Sequence, residues 1–275
     1  MIANKDIDEG KASDWGRTSI DYAKYRDIYP DVFYERIIEM GLCVKGQRVL
    51  DLGTGTGVLP RNLYKHGAEF VGADISENQI KQARLLSNEV GMNIDYVVAS
   101  AEDFDFPDNS FDVVTACQCF MYFDNKIALP RIHKVLNDSG HFCILYMMWL
   151  SDESEIAKRS IDLVSKYNPE WTGGDVKRFT STETPEWAKD IVEASNSDLF
   201  ETSSIERFDV NVGFTRESWH GRIKACRGIG ASSLSEERIE AFEKEHTDYL
   251  QSVPDSFDIL HFVVIVNLKK ALRNE

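Results

Sequence analysis

Between Val49 and Gly57 the chain reads V-L-D-L-G-T-G-T-G, an apolar run that passes directly into three alternate glycines. A helical pattern, Val58 to His66, follows at once, with Gly67 placed to stop it. A buried strand feeding a glycine turn and then a helix is the opening of a βα unit, and it demands a partner sheet on which to repeat. Glycines at the turn also remove Cβ atoms where a ligand could lie against the backbone at the strand's carboxyl end.

The repeats are present. Strand patterns at Gln47–Leu52, Phe70–Ala73, Ile94–Ala99, Phe111–Cys117 and His141–Met148 alternate with helical patterns at Val58–His66, Glu77–Val90 and Lys126–Leu136. Pro30 is suited to begin a helix through Met40. This alternation predicts an α/β fold: a Rossmann-like, doubly wound, mostly parallel seven-stranded sheet with helices on both faces. After residue 150 the rhythm changes. Helices are expected at Ser154–Tyr167, Thr184–Ala194, Arg216–Cys226 and Ser235–Leu250, and long strands at Ser203–Val212 and Phe257–Leu268. The expected organisation is residues 1–44 as helices covering a ligand site and 45–150 as the binding core. Residues 151–275 would complete the sheet and insert a helical lid at about 170–195 and 214–255.

Charge narrows the ligand. With 46 acidic against 31 basic residues, the net charge is −15. Phosphate contacts need clustered Lys and Arg, so nucleic acid is not an expected partner, nor is an anionic membrane surface. A neutral or cationic small molecule suits the overall field better. The polar start MIANKDIDEGKASD has no apolar signal core, and no run of 18 apolar residues exists, so a cytoplasmic location is expected. The five cysteines (Cys43, Cys117, Cys119, Cys143, Cys226) sit mostly in apolar runs and read as reduced core residues. Cys117-x-Cys119 has no second pair or histidine cluster to complete a metal site, and none is expected.

Two carboxylates define what the glycine turn could hold. Asp51 precedes the first glycine by two residues, which is hostile to phosphate and favourable to an ammonium group. The next strand ends in G-A-D-I, placing Asp74 about 20 residues past the turn, where an acid can accept from both hydroxyls of a ribose. A nicotinamide-dependent oxidoreductase would instead need a third glycine at position 58, which is Val58.

With D-x-G-x-G-x-G at Asp51–Gly57, Asp74, Ala101-Glu102, F-P-D-N-S-F-D at Phe106–Asp112 and L-N-D-S-G-H at Leu136–His141, residues 45–148 resemble the class I S-adenosylmethionine (SAM)-dependent methyltransferases. The resemblance implies SAM as cofactor, with S-adenosylhomocysteine as its product. Asp51 and the backbone of Gly53, Thr54 and Gly55 would hold the methionine end, with Gly57 also cofactor-binding, Asp74 would take the ribose and Ile75 an adenine face. Ala101 and Glu102 would meet the adenine edge, and Gln118 would lie under the sulfonium. Many relatives carry Asp where this chain has Ser100, which leaves Glu102 the better adenine partner. The segment D-Y-A-K-Y-R-D-I-Y-P at Asp21–Pro30 is similar to the entry helix of a small-molecule subgroup that includes quinone-biosynthesis and trans-aconitate-type enzymes. It makes Tyr25 a cofactor candidate and Tyr22 a pocket candidate. The implied function is methyl transfer to a small-molecule acceptor, with SAM binding without catalysis as the alternative.

No catalytic triad is evident, and none is required where the cofactor carries the activated carbon. Position 116 onward reads A-C-Q-C-F-M-Y rather than N-P-P-Y, which disfavours methylation of base or glutamine amino groups. Phe120, Met121, Tyr122, Trp171, Trp219 and His220 are expected near an acceptor pocket. His220 and Tyr122 are the catalytic candidates, because an imidazole or phenol can take a proton. His133 is expected to face solvent and His261 to be structural.

Overall fold

The computed structural model describes residues 7–272 apart from Asp175 and the side chain of Glu9. Seven strands form one sheet: β1 (Arg48–Leu52), β2 (Glu69–Asp74), β3 (Asp95–Val98), β4 (Phe111–Cys117), β5 (Leu136–Trp149), β6 (Phe200–Thr215) and β7 (Ser256–Lys270). Their order is β3-β2-β1-β4-β5-β7-β6, and β1 pairs in parallel with β2 and β4, β2 with β3, and β4 with β5. The chain steps outward from β1 to β3 and then returns to the other side of β1 at β4. That reversal between β1 and β4 is the switch point at whose carboxyl edge ligands lodge in open α/β sheets. The expected α/β fold is therefore the observed one.

The helices are α1 (Ser19–Tyr25), α2 (Asp31–Glu39), α3 (Val58–Leu63), α4 (Glu77–Glu89), α5 (Asn125–Val135), α6 (Glu155–Tyr167), α7 (Lys189–Ser195), α8 (Arg216–Lys224) and α9 (Glu236–Leu250). Two expectations shift here. The entry segment is helical only to Tyr25, and the stretch before Pro30 is extended or irregular. Pro30 itself is the extended cap (ψ 158°) that precedes α2, not its first helical residue. β5 also starts earlier than His141: Leu136 already pairs with Phe111, across a register irregularity at Phe111/Val113.

The chain forms two compact units. One comprises the chain up to Ile28, Met148–Lys177 and Asp209–Phe262, and the other Tyr29–Met147, Arg178–Phe208 and the chain from Val263. In the latter, β1 and β4 are buried on both faces, with Val49, Leu50, Val113 and Val114 fully covered, as a parallel sheet requires. In the former, Trp219 is fully buried among Trp149, Phe214 and Phe257, and its indole N–H donates to Ser160 Oγ at 2.9 Å.

Candidate cofactor-binding site

The turn after β1 winds through three left-handed glycines, Gly53 (φ 64°), Gly55 (φ 56°) and Gly57 (φ 73°). Two of them are also sterically obligatory. A Cβ on Gly53 would lie 2.6 Å from Cys119 Sγ, and one on Gly57 would lie 2.3 Å from the Tyr96 hydroxyl. The loop leaving β4 therefore presses its Cys119 onto the first glycine, and Cys119 Sγ donates to the Leu52 carbonyl at 3.1 Å. Sequence reading missed both partners, because Tyr96 and Cys119 meet the turn only through strand order.

Asp51 is 1% exposed, and its Oδ1 accepts the Thr115 hydroxyl at 2.6 Å. Burial raises its pKa to about 6, against the opposing pull of the Thr115 and Thr54 hydroxyls. Thr115 was missed, yet it was legible in principle. It is the lone hydroxyl in an apolar strand and stands in register with Asp51 across the β1–β4 ladder.

Asp74, at the end of β2, spans two backbone donors. Its Oδ2 accepts from Gly55 N at 2.9 Å and its Oδ1 from Ser76 N at 2.8 Å. Burial raises its pKa, while these two N–H groups work to lower it. The glycine turn and the second acid are thus joined directly, and each carboxylate oxygen keeps a lone pair for a hydroxyl donor. Ile75 is 43% exposed beside this pair, an apolar surface at a strand end. Ala101 is buried, and Glu102 Oε1 accepts from Asp124 N at 2.9 Å, which ties it to the start of α5. Gln118 adopts φ 62°, rare for a side-chain-bearing residue, and its Nε2 donates to the Met147 carbonyl. Such a conformation at a strand end is of the kind that clusters at functional sites.

The remaining candidates separate. Phe120 is fully buried against Phe123 and Phe142, so it is core rather than pocket wall. Met121 and Tyr122 are half-buried in the same loop, where Met121 N donates to the Tyr146 hydroxyl at 2.9 Å. Tyr25, Tyr22, Trp171, Trp219 and His220 all belong to the other compact unit. There Tyr25 packs on Gly221 and its hydroxyl donates to Glu217, while Trp171 is buried against Gly173 and Gly228. Trp219 is core, correcting its expected place in a pocket lining. His220 Nδ1 is 2.9 Å from His246 Nδ1. His133 is half-buried and hydrogen-bonded to the Ala271 carbonyl, not solvent-facing, because α5 packs it on Phe200. His261 is structural and fully buried, as expected.

Residues 50–144 match a protein family described as a methyltransferase domain. The ubiquinone/menaquinone biosynthesis C-methyltransferase of Shewanella sp. (strain W3-18-1) is 35% identical over 157 residues, covering 52% of this chain and 61% of that protein. The demethylmenaquinone methyltransferase of Thermus thermophilus is 35% identical over 113 residues, covering 40% of this chain and 51% of that protein. The chain thus spans about half to three fifths of these relatives' length. Among solved structures, the YcgJ protein of Bacillus subtilis superposes with a TM-score of 0.53 at 19% identity, covering 89% of this chain and 100% of that one. The [4+2]-cyclase SpnF gives 0.53 at 18% identity, over 88% of this chain and 80% of that one. Residues 50–144 are thus similar to a methyltransferase domain, and the sheet that carries them shares the Rossmann-like α/β fold of these solved structures.

Proposed function

We propose that the chain is a SAM-dependent methyltransferase acting on a small-molecule acceptor. The observation that carries this reading is the pairing of two carboxylates, the buried Asp51 and the half-buried Asp74, around a left-handed glycine turn at the switch point of the sheet. A diphosphate would meet two anions there, whereas an adenosine with a cationic amino-acid arm meets complementary charge. The donor set fits SAM. Asp51 would pair with the ammonium, Asp74 would accept from the ribose hydroxyls, and exposed Ile75 would pack on the adenine.

When bound, SAM supplies a methyl group already activated by its sulfonium. The chain's own contribution is alignment and desolvation. Gly53 and Gly55 offer backbone without side-chain bulk, and Cys119 fixes the loop after β4 onto Gly53. The curated relatives are named as methyltransferases of quinone biosynthesis, so a carbon on a small aromatic nucleus is the first acceptor class to try. His220 and Tyr122 remain the side chains proposed for a proton-accepting role. A cytoplasmic location is part of the same reading.

Calorimetry with S-adenosylhomocysteine and NADH tests the cofactor, and transfer of labelled methyl from SAM into a metabolite extract tests the reaction. Binding of S-adenosylhomocysteine alone, with label incorporated, is the expected result. NADH binding without S-adenosylhomocysteine binding overturns the proposal.

A further inference from the structure

Within the unit that holds the cofactor edge, Arg207 has neither an ion pair nor a hydrogen-bonded backbone carbonyl among the described residues, whereas Arg48 and Arg84 bond the Ser110 and Tyr96 carbonyls. Arg207 lies on β6 with its guanidinium 4.6 Å from the centroid of the Phe179 ring. Phe179 meets Trp187 edge-on at 6.3 Å, and Trp187 meets Tyr146 at 5.5 Å. The Tyr146 hydroxyl accepts from Met121 N, in the loop that closes on Gly53 through Cys119. A row of rings therefore runs from the loop after β4 to the guanidinium.

Stacking occupies the face of a guanidinium and leaves its in-plane N–H groups for a carboxylate fork. Arg207 Nε is buried with no hydrogen-bond partner among the described residues. Burial lowers the Arg207 pKa, and no neighbouring carboxylate pulls it back. The chain has 46 acidic residues for 31 basic ones, so an unpaired, partly desolvated arginine runs against its composition. Other arginines do find acids: Arg216 pairs with Asp255, Arg227 with Asp8 and Arg17 with Glu236.

We propose that Arg207, held in place by the buried Phe179 ring, recognises a carboxylate on the methyl acceptor, whose flat apolar body lies along the half-buried Trp187. This rests on the methyltransferase reading and names its substrate class: a planar aromatic or conjugated carboxylate. It departs from the neutral or cationic acceptor suggested by net charge, because a stacked guanidinium sets the local potential whatever the summed charge of the surface.

The full chain, saturated with S-adenosylhomocysteine, is titrated calorimetrically with 2-naphthoate and with its neutral amide, 2-naphthamide. Naphthoate is expected to bind about tenfold more tightly, the usual worth of a charge-assisted hydrogen bond. The preference disappears in R207M, is partly kept in R207K, and persists in W187A although both probes weaken. Equal binding of the two probes, no binding of naphthoate, or a preference that survives R207M overturns the inference. Melting temperature and S-adenosylhomocysteine binding of each variant report on folding. Failure of the unmodified chain to bind S-adenosylhomocysteine removes the methyltransferase reading, whereas binding without a carboxylate preference removes only the role of Arg207.

Discussion

A carboxylate enclosed as Asp51 is, with two threonine hydroxyls beside it, is held ready for a cation and is costly without one. Its pKa of about 6 in the free protein makes cofactor affinity pH-dependent near neutrality. Pairing with an ammonium needs the ionised form, so affinity for S-adenosylhomocysteine should be steady above pH 7 and fall as pH drops through 6. A flat affinity from pH 7.5 to 5 would remove Asp51 from the ammonium site. Stability has the opposite sign. The folded pKa lies above the unfolded value near 3.8, so the folded chain binds the proton more readily, and stability falls as pH rises from about 4 to 6. Asp51→Asn, which keeps an acceptor for Thr115, should therefore stabilise the protein at pH 7.5 by about 2–3 kcal/mol while weakening cofactor binding. Asp51 and Asp74 were both legible in sequence because each sits at a fixed offset from a strand end. Thr115 stood out as the lone hydroxyl of its strand but needed the strand order to be matched to Asp51, whereas Cys119 and Arg207 meet their partners across contacts that no local spacing encodes.

The β1–turn–α3 element shows the same division between local and non-local information. Its glycines announce a ligand turn, but the need for Gly53 comes from its left-handed φ of 64° and from Cys119, whose Cβ would stand 2.7 Å from any Cβ placed there. Gly53→Ala should cost about 2–4 kcal/mol, the sum of left-handed strain and forced displacement of the β4 loop. Cys119→Gly removes the obstructing atoms and leaves only the backbone strain. A double-mutant cycle in urea should then find the Gly53→Ala penalty smaller in the Cys119→Gly background. Additive penalties would mean that the two segments do not press on each other. Elements of the first half of the chain were readable because parallel strands buried on both faces are near-continuous apolar runs. β6 was harder. It is an edge strand whose side chains are largely exposed or half-exposed, so its sixteen residues carry too little apolar signal to mark their ends. β5 was shortened in reading because L-N-D-S-G looks like a turn, although a register irregularity opposite Phe111/Val113 lets it pair.

At the scale of the whole molecule, titration should act differently on the two compact units, since Asp51, whose pKa burial raises, lies in one and the buried His246 and His261, whose pKa values burial lowers, lie in the other. His246 and His261 are fully buried, with pKa values of about 3 and about 4. The hydrogen bonds around His246 explain its neutrality. The Ser160 hydroxyl donates to the Ile156 carbonyl at 2.8 Å, so its oxygen accepts from both Trp219 Nε1 and His246 Nε2. That places the His246 proton on Nε2 and leaves Nδ1 to accept from His220 Nδ1. A second proton on His246 would point at the N–H of His220. His261 donates from Nδ1 to the Ile259 carbonyl, and its Nε2 is buried without a hydrogen-bond partner among the described residues. Both folded pKa values lie below the unfolded value near 6.5, so the unfolded chain binds more protons in between, and stability falls as pH is lowered from about 6.5 to 4. The loss should reach about 2–3 kcal/mol for each histidine at pH 4. Hydrogen exchange followed between pH 7 and 4.5 should therefore show protection fading first along α6, α8 and α9, while β1 and its neighbour β4, where protonation of Asp51 relieves buried charge, hold longer. His261→Leu should flatten part of the acid loss. Uniform fading in both units, or an unchanged acid profile in that variant, would mean that these imidazoles do not govern the response.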